Sequence, residues 1–311
     1  MKDSSTVRSI VSHSDSASPA TPVLNGFPVR GDSGDDIVDE TFGVSRQFET
    51  VAGRLAVFQV GKGERTIIFW PSVFADHTMY RQQAVVLADE FRMIFIDGPG
   101  HGGSGPQKPG ATLDTHASAV IDVMDQLQVA NSVFVGTSWG GLVGVHLVRL
   151  YPKRVAALVA LNTPFDTRKG GPSIAVRMIV LLARLAGTTG LFANGVSGSF
   201  FAPSSKLRNK AQITEFKSRL AGFRPVDMAV VARGVLLERE SELTSLGRIA
   251  APTLVVAGRE DSNVSSVDLQ QASNLIPDAR FVEIPYSAHL SALEAPDAVN
   301  LLIRDFCRHL D

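Results

Sequence analysis

A serine, an aspartate and a histidine that lie far apart in this chain each occupy a setting suited to acyl transfer. Ser138 sits in Gly136-Thr137-Ser138-Trp139-Gly140, between the short apolar run Ser132 to Val135 and the apolar helical run Leu142 to Leu150. A strand, then G-x-S-x-G, then a helix is the context in which a tight turn holds a serine hydroxyl clear of the backbone. The flanking glycines fit because a side chain there would collide with the neighbouring strand or helix. The helix that follows turns free N–H groups and its dipole towards an anion formed at the serine. A serine nucleophile also needs a base within reach and an acid to orient that base. His289, in Tyr286-Ser287-Ala288-His289-Leu290, and Asp261, in Gly258-Arg259-Glu260-Asp261, complete the order serine, acid, histidine. Each falls in a loop after a strand. Of the seven histidines, His289 alone has both that order and that kind of loop. Glu260 and Asp166 are rival acids to Asp261. A neutral His289 would take the Ser138 proton, and Asp261 would stabilise the imidazolium that results. The oxyanion would need two donors. One is the backbone N–H of Trp139. The other comes from the loop after the strand Thr66 to Trp70, where Ser72 is the first candidate and Val73 the second. Pro71 has no N–H to offer.

These residues need a scaffold, and the chain alternates strand and helix as one would require. Arg54 to Val60 and Thr66 to Trp70 read as strands joined by Gly61-Lys62-Gly63-Glu64. Arg81 to Glu90 is a short helical run, and Arg92 to Ile96 is a strand. Ala117, Val120, Ile121, Met124 and Leu127 recur at helical spacing. The run after Ser138 is apolar nearly all round, as a helix covering mid-sheet would be. Val155 to Leu161 is the next strand. From Thr163 to about Gly247 only helical patterns occur: Ile174 to Leu185 opened by Pro172, Lys206 to Ala221, and Pro225 to Arg239. Gly187 to Ser204 reads as loose. Alternation resumes with Thr253 to Ala257, Val264 to Ile276, Arg280 to Ile284 and Pro296 to Leu310. The pattern predicts an α/β fold, a mostly parallel sheet flanked by helices with an inserted helical cap over the strands' C-terminal edge. Its divisions are a disordered tail over 1–45, a core over 46–163 and 248–311, and the cap over 164–247.

Composition narrows the function further. With 30 Lys and Arg against 31 Asp and Glu, and no basic stretch interleaved with aromatics, nucleic acid is not expected as a partner. The single cysteine, Cys307, reads as packing on the last helix and gives no disulfide. No segment reaches the length of a membrane span, and the N-terminal residues lack the apolar core of a secretory signal, so a cytoplasmic enzyme is expected. Gly98-Pro99-Gly100-His101-Gly102-Gly103 satisfies G-x-G-x-x-G formally, but Ser104-Gly105-Pro106 continues a loop where a dinucleotide site needs a helix. Gly61-Lys62-Gly63 lacks the spacing of a phosphate loop. No His, Cys, Asp and Glu cluster has metal-ligand spacing, so neither metal nor other cofactor is expected. Between Phe165 and Glu240 twelve Lys or Arg face five acids. Basic residues turned to the cleft, Arg177 and Arg184 among them, would draw a carboxylate-bearing substrate; the alternative is a solvated surface.

The chain resembles α/β-hydrolase-fold enzymes beyond about Arg46, and within them most resembles the 3-oxoadipate enol-lactonase type. Asp97-Gly98-Pro99-Gly100-His101-Gly102-Gly103-Ser104 is similar to a turn found across that superfamily. More specific are Ala288-His289-Leu290-Ser291-Ala292-Leu293-Glu294 and the loop Ser72-Val73-Phe74-Ala75-Asp76. The chain differs in having Trp139 where a Met is usual, a long tail and a longer cap. The resemblance implies Ser138, Asp261 and His289 as the triad, and Ser72 and Trp139 as the oxyanion pair. It implies a cofactor-free serine hydrolase acting on a small-molecule ester or lactone. A general carboxylesterase or C–C bond hydrolase with the same triad is the alternative, and a slow-turnover ligand receptor on this fold is the competing class.

Overall fold

Runs of Val, Ile, Leu and Phe too apolar for a half-exposed strand become the centre of a sheet covered on both sides. The computed structural model describes residues 29–30, 37–167, 174–185 and 189–310, and among them eleven strands form two sheets. A small antiparallel sheet holds β1 (Val29–Arg30), β2 (Ile37–Asp39) and β3 (Gly43–Val44). The large sheet holds β4 (Arg46–Thr50), β5 (Gly53–Val60), β6 (Thr66–Trp70), β7 (Arg92–Ile96), β8 (Ser132–Thr137), β9 (Val155–Leu161), β10 (Thr253–Gly258) and β11 (Ala279–Ile284). Its spatial order is β11-β10-β9-β8-β6-β7-β5-β4, with β6 to β11 parallel and β4 and β5 antiparallel. Every residue of β6, β8 and β10 is buried, the signature of a sheet layered on both faces.

The helices follow in chain order: α1 (Arg81–Leu87), α2 (Leu113–Gln126), α3 (Trp139–Leu150), α4 (Ile174–Leu185), α5 (Gly190–Phe200), α6 (Lys210–Ala221), α7 (Pro225–Arg233), α8 (Leu243–Leu246), α9 (Ser266–Ser273), α10 (Ser291–Glu294) and α11 (Pro296–Arg308). α2 packs on α3, and α1 on α11. A capping box at Thr112 and Thr115 starts α2 and satisfies amides the helix leaves open. Between β9 and β10 the described residues form helices α4 to α8 and no strand. The parallel strands all point one way, so the loops after β6, β7, β8, β9, β10 and β11 gather at one edge.

Three expectations change. Folded chain does not begin at Arg46. Phe42 is buried edge-on against His77 and Phe95, and Asp39 is buried in an ion pair with Arg81 at 2.8 Å. Two anchors hold that segment, and neither leaves a periodic pattern in sequence; the rest of the expected tail, 1–28 and 31–36, lies outside the described residues. The stretch read as loose contains α5, whose glycines are outweighed by the burial of Phe192, Ala193, Val196 and Phe200. The helix from Pro225 stops at Arg233 and continues as a π turn over Gly234–Glu238. Pro172 lies outside the described residues.

Candidate active site

Ser138 lies at the junction of β8 and α3 with φ of 54°, a left-handed conformation that costs a non-glycine residue roughly 1–3 kcal/mol. The turn survives because its surroundings allow nothing else. A Cβ on Gly136 would stand 2.1 Å from the Gly140 carbonyl carbon, and one on Gly140 would stand 2.1 Å from the Trp70 carbonyl oxygen. Both positions exclude any side chain, so strand and helix meet closely enough to push the serine outward. The Ser138 N–H donates to Leu161 O at 2.8 Å and ties the turn to β9.

His289 and Asp261 reach the serine from the loops after β11 and β10. His289 Nε2 lies 2.9 Å from Ser138 Oγ, and His289 Nδ1 lies 2.8 Å from Asp261 Oδ2. An ionised carboxylate only accepts, so Nδ1 carries the hydrogen and Nε2 is left to accept from the hydroxyl. Burial works to raise the Asp261 pKa, but the facing His289 and the amides of Asn263 and Val264 outweigh it and hold the carboxyl below its usual range. The rival acids go elsewhere: Glu260 bonds Ser204, and Asp166 bonds Ser241.

Two further residues hold this arrangement, and the sequence reading passed over both. Asn162, at the end of β9 with φ of 48°, donates to Ala288 O at 2.9 Å and to Asp261 Oδ2 at 3.2 Å, and accepts from Ser291 Oγ at 2.7 Å. One amide thus joins the acid loop to the histidine loop. Glu294 accepts from the Ala288 N–H at 2.8 Å, the Ala202 N–H at 2.7 Å and Ser205 Oγ at 2.5 Å. Burial raises its pKa despite those donors. The signal was available for Glu294, which closes the run Ala288 to Glu294; for Asn162, a left-handed asparagine after a strand leaves little trace.

A family model described as the alpha/beta hydrolase fold matches residues 65–296. The chain belongs to the α/β-hydrolase family. It is 28% identical to 3-oxoadipate enol-lactonase 2 of Acinetobacter baylyi over 253 residues, covering 81% of this chain and 91% of that protein. A thermophilic esterase from Thermogutta terrifontis superposes with a TM-score of 0.77 at 27% identity, covering 86% of this chain and 98% of that one. The enol-lactonase from Burkholderia xenovorans LB400, at 24% identity and a TM-score of 0.76, shares the fold over 82% of this chain and 97% of its own.

In this α/β hydrolase, Ser138 and His289 help line a cavity of about 740 Å³. The helices between β9 and β10 contribute apolar wall, including Val176, Ile179, Val196 and Phe200, so the interior favours a greasy ligand. Val73 and Phe74 line it from the loop after β6, whereas Ser72 does not; its hydroxyl is buried without a partner among the described residues. That favours Val73, the second candidate, as the donor on this loop. The Phe74 N–H is already spent on His101 Nε2 at 3.1 Å. Trp139 opens α3, and its indole N–H donates to His116 Nδ1 at 3.3 Å while its ring meets Trp70 edge-on. Arg239 is the one cation among the described residues on the cavity wall; Arg177 and Arg184 are exposed and not on it. No helix among the described residues is long and apolar enough to cross a membrane.

Proposed function

We propose that the protein hydrolyses a small-molecule ester or lactone through an acyl-enzyme on Ser138. The observation that carries this reading is the unbroken line Asp261 Oδ2, His289 Nδ1, His289 Nε2, Ser138 Oγ, each contact within 2.9 Å, at the wall of a mostly apolar cavity. Ser138 Oγ attacks the carbonyl carbon as its proton passes to His289 Nε2. The tetrahedral oxyanion receives the Trp139 N–H and the Val73 N–H. Collapse expels the alkoxide, which takes the proton from His289; in a lactone the leaving oxygen stays tethered to the acyl group. Water, deprotonated by His289, then attacks the acyl carbon, and Ser138 leaves with the proton. Asp261 stabilises the imidazolium in both halves. In this reading α4 to α8 act as a cap that walls off the acyl pocket. An enol-lactone or similar cyclic ester is the first substrate class to test, supported by the similarity to 3-oxoadipate enol-lactonase 2.

The test is turnover on a panel of p-nitrophenyl esters and lactones, with fluorophosphonate labelling followed by mass spectrometry. Multiple turnovers, an adduct on Ser138, and loss of both in Ser138→Ala are expected. Asp261→Asn should lower kcat by about 10⁴, since its amide cannot hold the required tautomer. A Ser138→Ala variant that turns over at the parent rate overturns the reading. A parent protein that stops after one equivalent would mark a receptor instead.

A further inference from the structure

The glycine-rich loop after β7 places its one histidine directly behind Phe74, a residue of the cavity wall. His101 is fully buried. Its Nδ1 lies 2.9 Å from Pro99 O, a carbonyl that can only accept, so Nδ1 carries the hydrogen. Nε2 is then a bare acceptor, and it takes the Phe74 N–H at 3.1 Å. Phe74 has φ of 67°, a conformation an aromatic residue keeps only under outside constraint. The ring cannot retreat. It sits 5.3 Å from the Trp139 ring and 5.4 Å from Phe223, and a Cβ on the neighbouring Gly100 would stand 2.8 Å from the Asp227 carbonyl. Burial pushes the His101 pKa down to about 4, so the acceptor persists at neutral pH.

We propose that His101 is a positioning residue for the oxyanion pocket: by accepting the Phe74 N–H it sets the Val73–Phe74 peptide, and so aims the preceding Val73 N–H at the oxygen that becomes negative. This rests on the acyl-enzyme reading. The Ala75 N–H also closes this turn on Ser72 O at 3.2 Å, so without His101 that one backbone bond would be left to hold the strained Phe74, and the loosened turn would let the Val73 N–H drift off target. The Trp139 side of the pocket has a matching brace, because His116 Nδ1 accepts the indole N–H and His116 Nε2 lies 2.9 Å from Gln107 Oε1.

Two substitutions separate the two nitrogens. In His101→Asn the shorter amide can still donate to Pro99 O but cannot reach Phe74; in His101→Gln the longer side chain puts an oxygen where Nε2 was. His101→Phe removes both. The measurements are kcat and KM on the best ester of the panel, the inhibition constant of a boronic acid that forms a tetrahedral adduct with Ser138, and Tm. His101→Asn and His101→Phe should lower kcat about tenfold to a hundredfold, less than the hundredfold to thousandfold of a lost oxyanion donor because the Val73 N–H is misaimed rather than removed, with KM within about twofold. Boronate affinity should fall by a similar factor, and His101→Gln should recover most of both. The proposal is overturned by folded Asn and Phe variants with parental kcat and boronate affinity. It is equally overturned if the Gln variant loses as much as the Asn variant, or if all three fail to fold, which would leave His101 a purely stabilising role. Ser138→Ala separates the levels: if it is dead while His101→Asn is fully active, only the positioning role falls; if it is active, the acyl-enzyme reading falls too.

Discussion

Replacing Asn162 by Ala should cost the fold several kcal/mol although it removes only three heavy atoms. The side chain serves three partners: Ser291 Oγ, Ala288 O and Asp261 Oδ2. Asp261 still has His289, Asn263 and Val264 as donors, so its loss is small. The Ser291 hydroxyl and Ala288 carbonyl are buried and would be left unpaired, at about 1–3 kcal/mol each. Alanine also tolerates the φ of 48° less well than asparagine, by about 1 kcal/mol. The sum is about 3–7 kcal/mol. Urea unfolding at neutral pH measures it, and a double-mutant cycle with Ser291→Ala tests its origin. Because both single changes break one shared bond, the double variant should be more stable than additivity predicts by about 1–2 kcal/mol. A loss below about 1 kcal/mol for Asn162→Ala, or additive single effects, would refute the bracing role assigned to this amide.

Two other outcomes follow from the charges. Arg239 donates to the backbone carbonyls of Asp166 and Glu240, and burial lowers its pKa. Arg239→Gln should therefore raise KM for carboxylate-bearing esters about tenfold and leave neutral esters less affected. Charge reversal at the exposed Arg177 and Arg184 should not change that ratio; a shift in the anionic-to-neutral KM ratio in the second pair alone would reverse the assignment. Asp76 is the other case. Burial works to raise its pKa, but Arg219, His77 and the Thr78 hydrogen bonds prevail and hold it below the usual range. A depressed carboxylate contributes stability above its unfolded value of 3.8 and loses it as pH falls through the lower folded value. Unfolding free energy should thus drop more steeply below pH 4 in the parent than in Asp76→Asn, and parallel curves would refute the pairing.

The candidate site was legible where geometry dictates residue type. An elbow that brings Gly136 against Gly140 accepts no side chain, so the turn is written as G-x-S-x-G, and parallel strands then bring their following loops to the same edge. What stayed hidden depends on contacts between distant segments. Asn162 joins loops 99 and 126 residues downstream, and Asp39 is anchored by Arg81, 42 residues away. The choice between Ser72 and Val73 turns on which of the two faces the cavity, and no propensity signals that. Helix α5 carries glycines that argue against a helix until its phenylalanines find a surface to cover.

Glu294 makes the histidine loop and the inserted helices mechanically inseparable at one end. Its carboxylate grips Ala288 on one side and Ala202 and Ser205 on the other, while the His289 N–H is held by Phe200 O. Swinging α5 and the start of α6 outward would pull the imidazole with them and disarm the serine. A movement of α4 or of the π turn over Gly234–Glu238, which line the cavity through Val176, Ile179 and Leu236, would leave those bonds intact and the imidazole in place.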